Sequence, residues 1–401
     1  MKKLAMTLAM GLACTAAASA MEADSVKTDS VEGFKFTDVK TVKTTSVKDQ
    51  NRTGTCWCFA GTSFFEDEIM RQGGDSLDLS EMFTVRHCWS DKADRYVRLY
   101  GQTNFAPGGS LLDVAYVWKR YGAVPDEVYA GLDYGEEKHD HGELEGILNG
   151  IVKTVVKKPQ KHITPSWRPA MEGVLDAYLG KLPEKFTYKG KEYTPKSFAA
   201  SLPINPDDYV AYSSFTHHPF YEEFVLEVPD NWVSGRYMNV PLDELKAIVD
   251  NALENGYPVN WAADVSEKGF KWNKGVALMP KGKDEGDMTG TELSRWVKLS
   301  DAQKANKKYE FDGPVEEETI TQELRQKWFD NQETTDDHGM EIVGIATDQN
   351  GKRYYKVKNS WDTNQVYDGF LYVSEPFLLA KTMGIVVHKD AVPKNIAKKT
   401  K

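Results

Sequence analysis

A cysteine at the start of a predicted helix is the first candidate for chemistry in this chain of 401 residues. Cys56 follows a loop that contains Gln50 and Gly54, and the small and apolar residues over 56–70 are typical of a helix whose first turns are buried. Backbone N–H groups at a helix N-terminus stabilise an anion, so we expect Cys56 to lose its proton more easily than a free thiol. The amide of Gln50 could fold back and donate a hydrogen bond to an oxyanion beside this sulfur.

A thiolate that attacks an acyl carbon also needs a proton donor, and histidine is the side chain whose pKa suits that task near neutral pH. His338 stands immediately before a predicted strand, and a second strand ends at Asn359, with Trp361 close behind it. A turn at Asn350-Gly351 would return Asn359 to the side of His338. The amide would then orient the imidazole, while Trp361 would shield that hydrogen bond from water.

Taken together, these residues resemble the Gln, Cys, His and Asn arrangement of the papain-like cysteine peptidases, family C1. Leu79-Ser80-Glu81 is similar to the motif that follows the catalytic helix in that family, and Gly108-Gly109 resembles the glycine pair that lines its substrate cleft. The resemblance implies that the substrates are peptides. It implies catalytic roles for Cys56, His338, Asn359 and Gln50, and substrate-binding roles for Gly108, Gly109 and Trp361.

Within this family the chain looks most like the bleomycin hydrolase and aminopeptidase C branch, on the stretches 239–241, 256–259 and 386–393 and a long middle insertion. The resemblance implies that the enzyme removes residues from substrate N-termini. Because relatives in this branch form rings, this chain could also form a homo-oligomer. A C-terminal tail reaches into the cleft in that branch, whereas only 394–401 follow Pro393 here. An endopeptidase with an open cleft is therefore one alternative, and a peptide-binding protein of the same fold without turnover is another.

Helical patterns early in the chain and strand patterns in its last section predict an α+β fold. The resemblance implies the papain-like two-lobed form of that class, with a helical lobe, an antiparallel β-sheet lobe and a helical insertion. We expect a single peptidase domain over 21–401, with the helical lobe at about 50–235, its insertion at about 131–235 and the sheet lobe at about 256–393. Asp362 stands where the family usually has glycine, which should alter the loop beside Trp361.

The first 20 residues are typical of a secretory signal peptide. Lys2-Lys3 precede an apolar run, and small residues at 18–20 supply a cleavage site. We therefore expect a bacterial protein exported to the periplasm or secreted, with lipid anchoring through Cys14 as the alternative. Removal of this segment would leave three cysteines, an odd number that excludes a disulfide framework and leaves at least one thiol free.

Composition and charge exclude several other classes of protein. With 50 Lys plus Arg and 60 Asp plus Glu, the formal charge is −10, which gives no electrostatic reason to expect nucleic-acid binding. No stretch approaches the roughly 20 apolar residues of a membrane span. We expect Cys58 and Cys88 to be packed thiols. Neither the cysteines nor the clusters 87–88, 139–141 and 217–218 supply a closed ligand set, so we expect no metal and no cofactor.

Overall fold

Six of the twelve described α-helices but only three of the thirteen described strands precede residue 200 in the structure, a computed structural model that describes residues 33–282, 286 and 288–400. The described α-helices are α1 (Cys56–Arg71), α2 (Glu81–Arg98), α3 (Asp113–Tyr121), α4 (Gly142–Lys157), α5 (Trp167–Leu179), α6 (Pro195–Ala199), α7 (Leu242–Glu254), α8 (Gly290–Trp296), α9 (Asp301–Lys307), α10 (Gln322–Asp330), α11 (Glu375–Lys381) and α12 (Lys394–Ala397). The described strands are β1 (Phe36–Thr41), β2 (Phe186–Tyr188), β3 (Lys191–Tyr193), β4 (Tyr209–Ser213), β5 (Glu223–Val225), β6 (Arg236–Asn239), β7 (Val259–Ala263), β8 (Phe270–Lys271), β9 (Val276–Ala277), β10 (His338–Asp348), β11 (Arg353–Lys358), β12 (Phe370–Ser374) and β13 (Thr382–His388).

Eleven of these strands form one sheet in the order β5-β6-β4-β13-β7-β10-β11-β12-β9-β8, with β1 paired to β10. Most neighbours are antiparallel, but β4 with β6 and β9 with β12 are parallel, so the sheet is mixed rather than purely antiparallel. The strands β2 and β3 form a separate hairpin. Helices early in the chain and a sheet late in it confirm the predicted α+β class.

Two large hydrophobic clusters correspond to the two lobes. One is built mainly from helices α1 to α5 and contains Trp57 and Trp89, and the other surrounds α7 and the central strands and contains Trp261 and Phe377. These four side chains are each at most 2% exposed, so both lobes have a dry core. The site residues lie where the first cluster meets the strands of the second.

The sheet takes more of the chain than the sequence pattern predicted. Strands β4, β5 and β6 lie within the stretch 209–239, most of which the sequence placed in the helical lobe, and β4 pairs with β13 near the C-terminus. These strands have only three to five residues, too few for an alternating pattern to stand out from the charged helices before them. Their place in the sheet is decided by pairing with strands distant in sequence.

Strand β10 lies in the middle of the sheet and is almost completely buried. Helix α1 packs across its first residues, and the backbones approach so closely there that only glycine fits. An alanine Cβ built on Gly339 would lie 2.9 Å from the Trp57 Cα atom and 3.2 Å from the Trp57 nitrogen. The contact brings the first turn of α1 directly against the start of β10.

A buried polar network joins α1 to the sheet behind this contact. The ammonium group of Lys358 on β11 donates to Ser63 Oγ at 2.8 Å and to Thr45 Oγ1 at 3.0 Å. Ser63 in turn donates to Glu341 Oε2 on β10 at 2.5 Å. Burial raises the pKa of the Glu341 carboxyl well above its usual value, and the nearby charge of Lys358 opposes that shift. The network therefore fixes the helix and the two strands in one arrangement.

Among the described helices, none combines the length and the hydrophobicity that a membrane crossing needs. The predicted signal peptide over 1–20 and the alternative anchor at Cys14 lie outside the described residues.

Replacing Gly339 with alanine should lower the free energy of unfolding by about 1–3 kcal/mol, because the added methyl group meets backbone atoms that cannot rotate aside. Gly146→Ala in α4 is the matched control, since a Cβ at that position meets nothing within 4 Å. Helix propensity should make the control neutral or slightly stabilising. Urea unfolding followed by tryptophan fluorescence measures both variants. Equal stability of the Gly339 variant and the wild type would contradict the close contact.

Candidate active site

Cys56 is the first residue of α1 and is partly exposed, while the other described cysteines are inside the protein. Cys58 donates to the carbonyl oxygen of Glu81 at 3.3 Å, and it and Cys88 are at most 1% exposed. The prediction that Cys58 and Cys88 are packed thiols is confirmed. As the first helical residue, Cys56 has no intrahelical acceptor for its N–H, which is therefore available to a substrate oxygen.

The antiparallel pair β10 and β11 brings His338 and Asn359 together across 21 residues of sequence. His338 Nε2 donates to Asn359 Oδ1 at 2.7 Å, and the N–H of Ser360 donates to the same oxygen at 2.8 Å. With Nε2 engaged, Nδ1 remains as the ring nitrogen that can exchange a proton with a neighbour. The Trp361 ring lies 4.5 Å from the imidazole ring, between centroids, and covers this side of it.

Hydrogen bonds join the loop before α1 to the loop after β11, so Gln50 lies close to the pair formed by His338 and Asn359. The N–H of Gln50 donates to the Ser360 carbonyl at 2.8 Å, and the Ser360 hydroxyl donates to Gln50 Oε1 at 2.7 Å. One hydrogen of the Gln50 side-chain amide bonds to the Thr53 carbonyl at 2.8 Å. The second hydrogen of that amide remains for a ligand. Ser360 therefore orients the buried Gln50 side chain.

Of the adjacent glycines Gly108 and Gly109, Gly109 lies against the ring of Trp57, the residue directly after Cys56 in the helix. Trp57 Nε1 donates to the Pro107 carbonyl at 3.0 Å, and the buried Lys92 donates to the carbonyls of Ala106 and Gly108. An alanine Cβ on Gly109 would lie 2.7 Å from the Trp57 ring. No larger residue fits there without moving the loop, and the arrangement leaves a glycine surface beside the first turn of α1.

Burial disfavours the charged forms of both Cys56 and His338. It raises the pKa of the Cys56 thiol to about 12, although N–H groups of Gly339 and Trp57 that face the sulfur pull it down. It lowers the pKa of the His338 imidazole to about 4, and the hydrogen bond to Asn359 acts in the opposite direction. The helix N-terminus alone does not activate this thiol as the sequence predicted, because loss of water outweighs the helix field. The thiolate form of Cys56 therefore needs a positive charge close to the sulfur.

The two aspartates before His338 have different positions. Asp337 accepts hydrogen bonds from the N–H groups of Val265 at 2.8 Å and Ser266 at 3.2 Å, so it anchors a loop. Asp336 instead acts on Cys56: its charge raises the pKa of that thiol, as does that of Asp230, after the larger effect of burial. From the sequence, Asp336 and Asp337 are predicted to be loop carboxylates that could raise the pKa of the His338 imidazolium, and Asp230 is not singled out. Alternation along an extended chain could have indicated Asp336, which is two residues from His338, but no pattern marks Asp230.

Asp362 adopts φ of 64°, the left-handed conformation that favours the glycine usual in the family. Its carboxylate accepts a hydrogen bond from the Thr363 N–H at 2.6 Å, and Lys138 lies 3.6 Å away. Aspartate tolerates this conformation because its short side chain can bond locally. Trp361 therefore keeps its position over the imidazole despite the substitution.

His217, His218 and Glu227 form the one group among the described residues whose ligand atoms could converge on a metal ion. Both imidazole Nε2 atoms instead face the carboxylate, at 3.1 and 2.6 Å. Gln326 Nε2 lies 3.1 Å from His217 Nδ1, so this ring accepts at Nδ1 and carries its proton on Nε2, the atom that a metal would need. The cluster is better described as two histidines that bond one glutamate.

Similar proteins were found in three ways. The profile of the papain family cysteine proteases matches residues 33–150, and that of a peptidase C1-like family matches residues 286–401. Aminopeptidase C of Lactococcus lactis subsp. cremoris is 22% identical over 384 residues, which cover 86% of this chain and 80% of the relative. Aminopeptidase C of Streptococcus thermophilus is 22% identical over 390 residues, with the same shares covered. The solved structure of PepW from Lactobacillus rhamnosis HN001 has a TM-score of 0.67 at 20% identity and covers 90% of this chain and 84% of that one.

The two profiles cover complementary parts of the site, because the first contains Cys56 and the second contains His338 and Asn359. These matches and the similarity to aminopeptidase C proteins over 86% of the chain support a papain-like cysteine peptidase, and PepW shares the fold. Within that class it is similar to the aminopeptidase C proteins of the bleomycin hydrolase branch, as the sequence resemblance predicted.

Iodoacetamide should label Cys56 in the folded protein, because the other described thiols are buried. At pH 6 the rate of Cys56 labelling should fall about tenfold or more in His338→Ala, since no neighbouring imidazole then accepts the thiol proton. Cys58→Ala is the control and should keep the wild-type rate. Intact mass spectrometry against time measures labelling. An unchanged rate in His338→Ala would show that the imidazole does not sustain the thiolate.

Proposed function

We propose that this protein is a cysteine aminopeptidase that removes residues from the N-termini of peptides through Cys56, His338, Asn359 and Gln50. The observation that carries the catalytic assignment is the 2.7 Å hydrogen bond from His338 Nε2 to Asn359 Oδ1, beside the first turn of α1. It leaves the other imidazole nitrogen to serve the cysteine sulfur. No single side chain in this set can catalyse the reaction alone, because the nucleophile, the proton carrier and the orienting amide must lie close together.

In the first step the Cys56 sulfur attacks the peptide carbonyl and forms a carbon–sulfur bond, and the carbonyl oxygen becomes an oxyanion. The free hydrogen of the Gln50 amide and the N–H of Cys56 are the donors proposed for that oxygen. The imidazolium of His338 then gives its Nδ1 proton to the leaving amine as the carbon–nitrogen bond breaks. Asn359 holds the ring in this orientation throughout.

In the second step water hydrolyses the thioester. Neutral His338 accepts a proton from the attacking water, the carbon–sulfur bond breaks, and the sulfur leaves as a thiolate beside the imidazolium. Trp361 and its aromatic neighbours Phe270 and Trp272 cover the hydrogen bond between His338 and Asn359. Exclusion of bulk water from that bond strengthens it and keeps the ring from turning.

The restriction to substrate N-termini rests on the similarity to aminopeptidase C proteins, which extends over 86% of this chain. Gly108 and Gly109 would line the groove in which the substrate backbone lies. A secreted or periplasmic location is part of the same proposal and rests on the sequence of residues 1–20.

Peptides with a free N-terminus should be hydrolysed at least about a hundredfold faster than their N-acetylated forms, because an N-terminal exopeptidase requires the charged amine. A peptide library cleaved with and without acetylation, read by mass spectrometry, measures the ratio. Cys56→Ser should remove both activities and exclude a contaminant. Equal cleavage of acetylated peptides at internal bonds would establish the endopeptidase alternative. Labelling of Cys56 without any cleavage would favour a peptide-binding protein.

A further inference from the structure

The carboxylate of Asp230 lies against the glycine loop at Gly108. An alanine Cβ built on Gly108 would lie 2.0 Å from Asp230 Oδ2, so the carboxylate touches the backbone of this residue. Asn104 Nδ2 donates to the other oxygen, Asp230 Oδ1, at 2.9 Å. One carboxylate oxygen thus has a protein partner, and the other, Oδ2, lies against the backbone of Gly108. Asp230 is partly exposed, which leaves it accessible to a ligand.

A second carboxylate approaches the same place from the sheet lobe. Asp336 precedes His338 by two residues, and it has no hydrogen bond or ion pair to any residue of the described chain. Its neighbour Asp337 is turned away and bonds the backbone of the β7 loop. Asp336 is thus a partly exposed acid without a hydrogen-bonding or ionic partner among the described residues, two positions before His338.

The charges of the two carboxylates affect the ionisation of each other and of Cys56. Burial raises the pKa of Asp336 to about 7, and the charge of Asp230 adds to the shift. The charges of both acids also raise the pKa of Cys56, so both lie within electrostatic range of the sulfur. Lys92, whose charge lowers the pKa of Asp230, donates to the carbonyls of Ala106 and Gly108 rather than to the carboxylate. Two acids that face each other across a cleft form an unfavourable pair unless a cation lies between them.

A peptide with a free N-terminus brings such a cation to this point. In an aminopeptidase the residue before the scissile bond carries the α-ammonium group, whose nitrogen is about 2.5 Å from the carbonyl carbon by standard backbone geometry. A side chain that binds this ammonium must consequently lie close to the attacking sulfur. Asp230 and Asp336 are the two acids that most affect Cys56.

Resting on the proposed aminopeptidase function, we propose that the carboxylates of Asp230 and Asp336 bind the free α-ammonium group of the substrate from opposite lobes of the cleft. An N-acetylated substrate carries no charge there and would leave two partly buried acids without a cationic partner. The pair thereby determines the specificity for N-termini. Neither residue takes part in bond breaking, and each contributes to binding and orientation.

Asp336→Asn and Asp230→Asn should each raise the KM for leucyl-7-amido-4-methylcoumarin about tenfold or more, with a smaller change in kcat. Asp336→Glu keeps the charge and should recover much of the loss. Asp75→Asn is the control, because its side chain is 90% exposed and lies in a loop far along the chain from both acids. Thermal unfolding of each variant excludes a folding defect.

Iodoacetamide labelling of Cys56 separates damage to the nucleophile from loss of amine binding. Removal of either acid should leave the labelling rate unchanged or raise it, because both carboxylates oppose the thiolate. Leucine amide should inhibit the wild type competitively, whereas N-acetyl-leucine amide should not. The preference for leucine amide should disappear in the double variant that carries Asp230→Asn and Asp336→Asn. If the wild type requires a free amine but Asp230→Asn and Asp336→Asn both have the wild-type KM, the role proposed for the two acids is wrong, while the aminopeptidase function stands. A wild type that accepts acetylated substrates equally would instead overturn the aminopeptidase function.

Discussion

The backbone contact between the first turn of α1 and the start of β10 is the constraint on which the site depends. The sulfur and the imidazole come from different lobes and are separated by more than 280 residues, so no local structure places them together. Gly339 allows the strand to reach the backbone of Trp57, and the buried bonds of Lys358 and Ser63 hold the helix there. Once that contact is made, the remaining site residues need only short loops to reach it.

Burial gives this site its geometry and also opposes the charges that its chemistry needs. The thiol and the imidazole both become more neutral when water is removed, which is why the N–H groups of Gly339 and Trp57 and the amide of Asn359 matter. Each of these groups favours one charged form by a fixed dipole that does not have to reorganise. The attraction between thiolate and imidazolium has to supply the rest, and it is strong only where the two groups are held together.

The residues proposed for the site could be selected from the sequence because each is marked by its neighbours. Cys56 follows a glycine-containing loop and begins an apolar helix, and His338 and Asn359 frame two strands joined by an Asn-Gly turn. The pairing of β4 with β13 was not predictable, since short strands have no periodicity of their own. Asp230 was missed for the same reason: it lies in a loop, and only tertiary packing against Gly108 gives it a position.

The acids in the cleft make sense only in relation to a charged substrate. With no cation between them, Asp230 and Asp336 oppose ionisation of Cys56, so they would weaken a peptidase that acts on uncharged parts of a chain. An α-ammonium bound between the two carboxylates would cancel their charge at the sulfur and so lower the pKa of the thiol. The nucleophile would then be more reactive when an N-terminus is bound than when the cleft is empty. Binding and activation would thus favour the same substrate, because one pair of charges controls both.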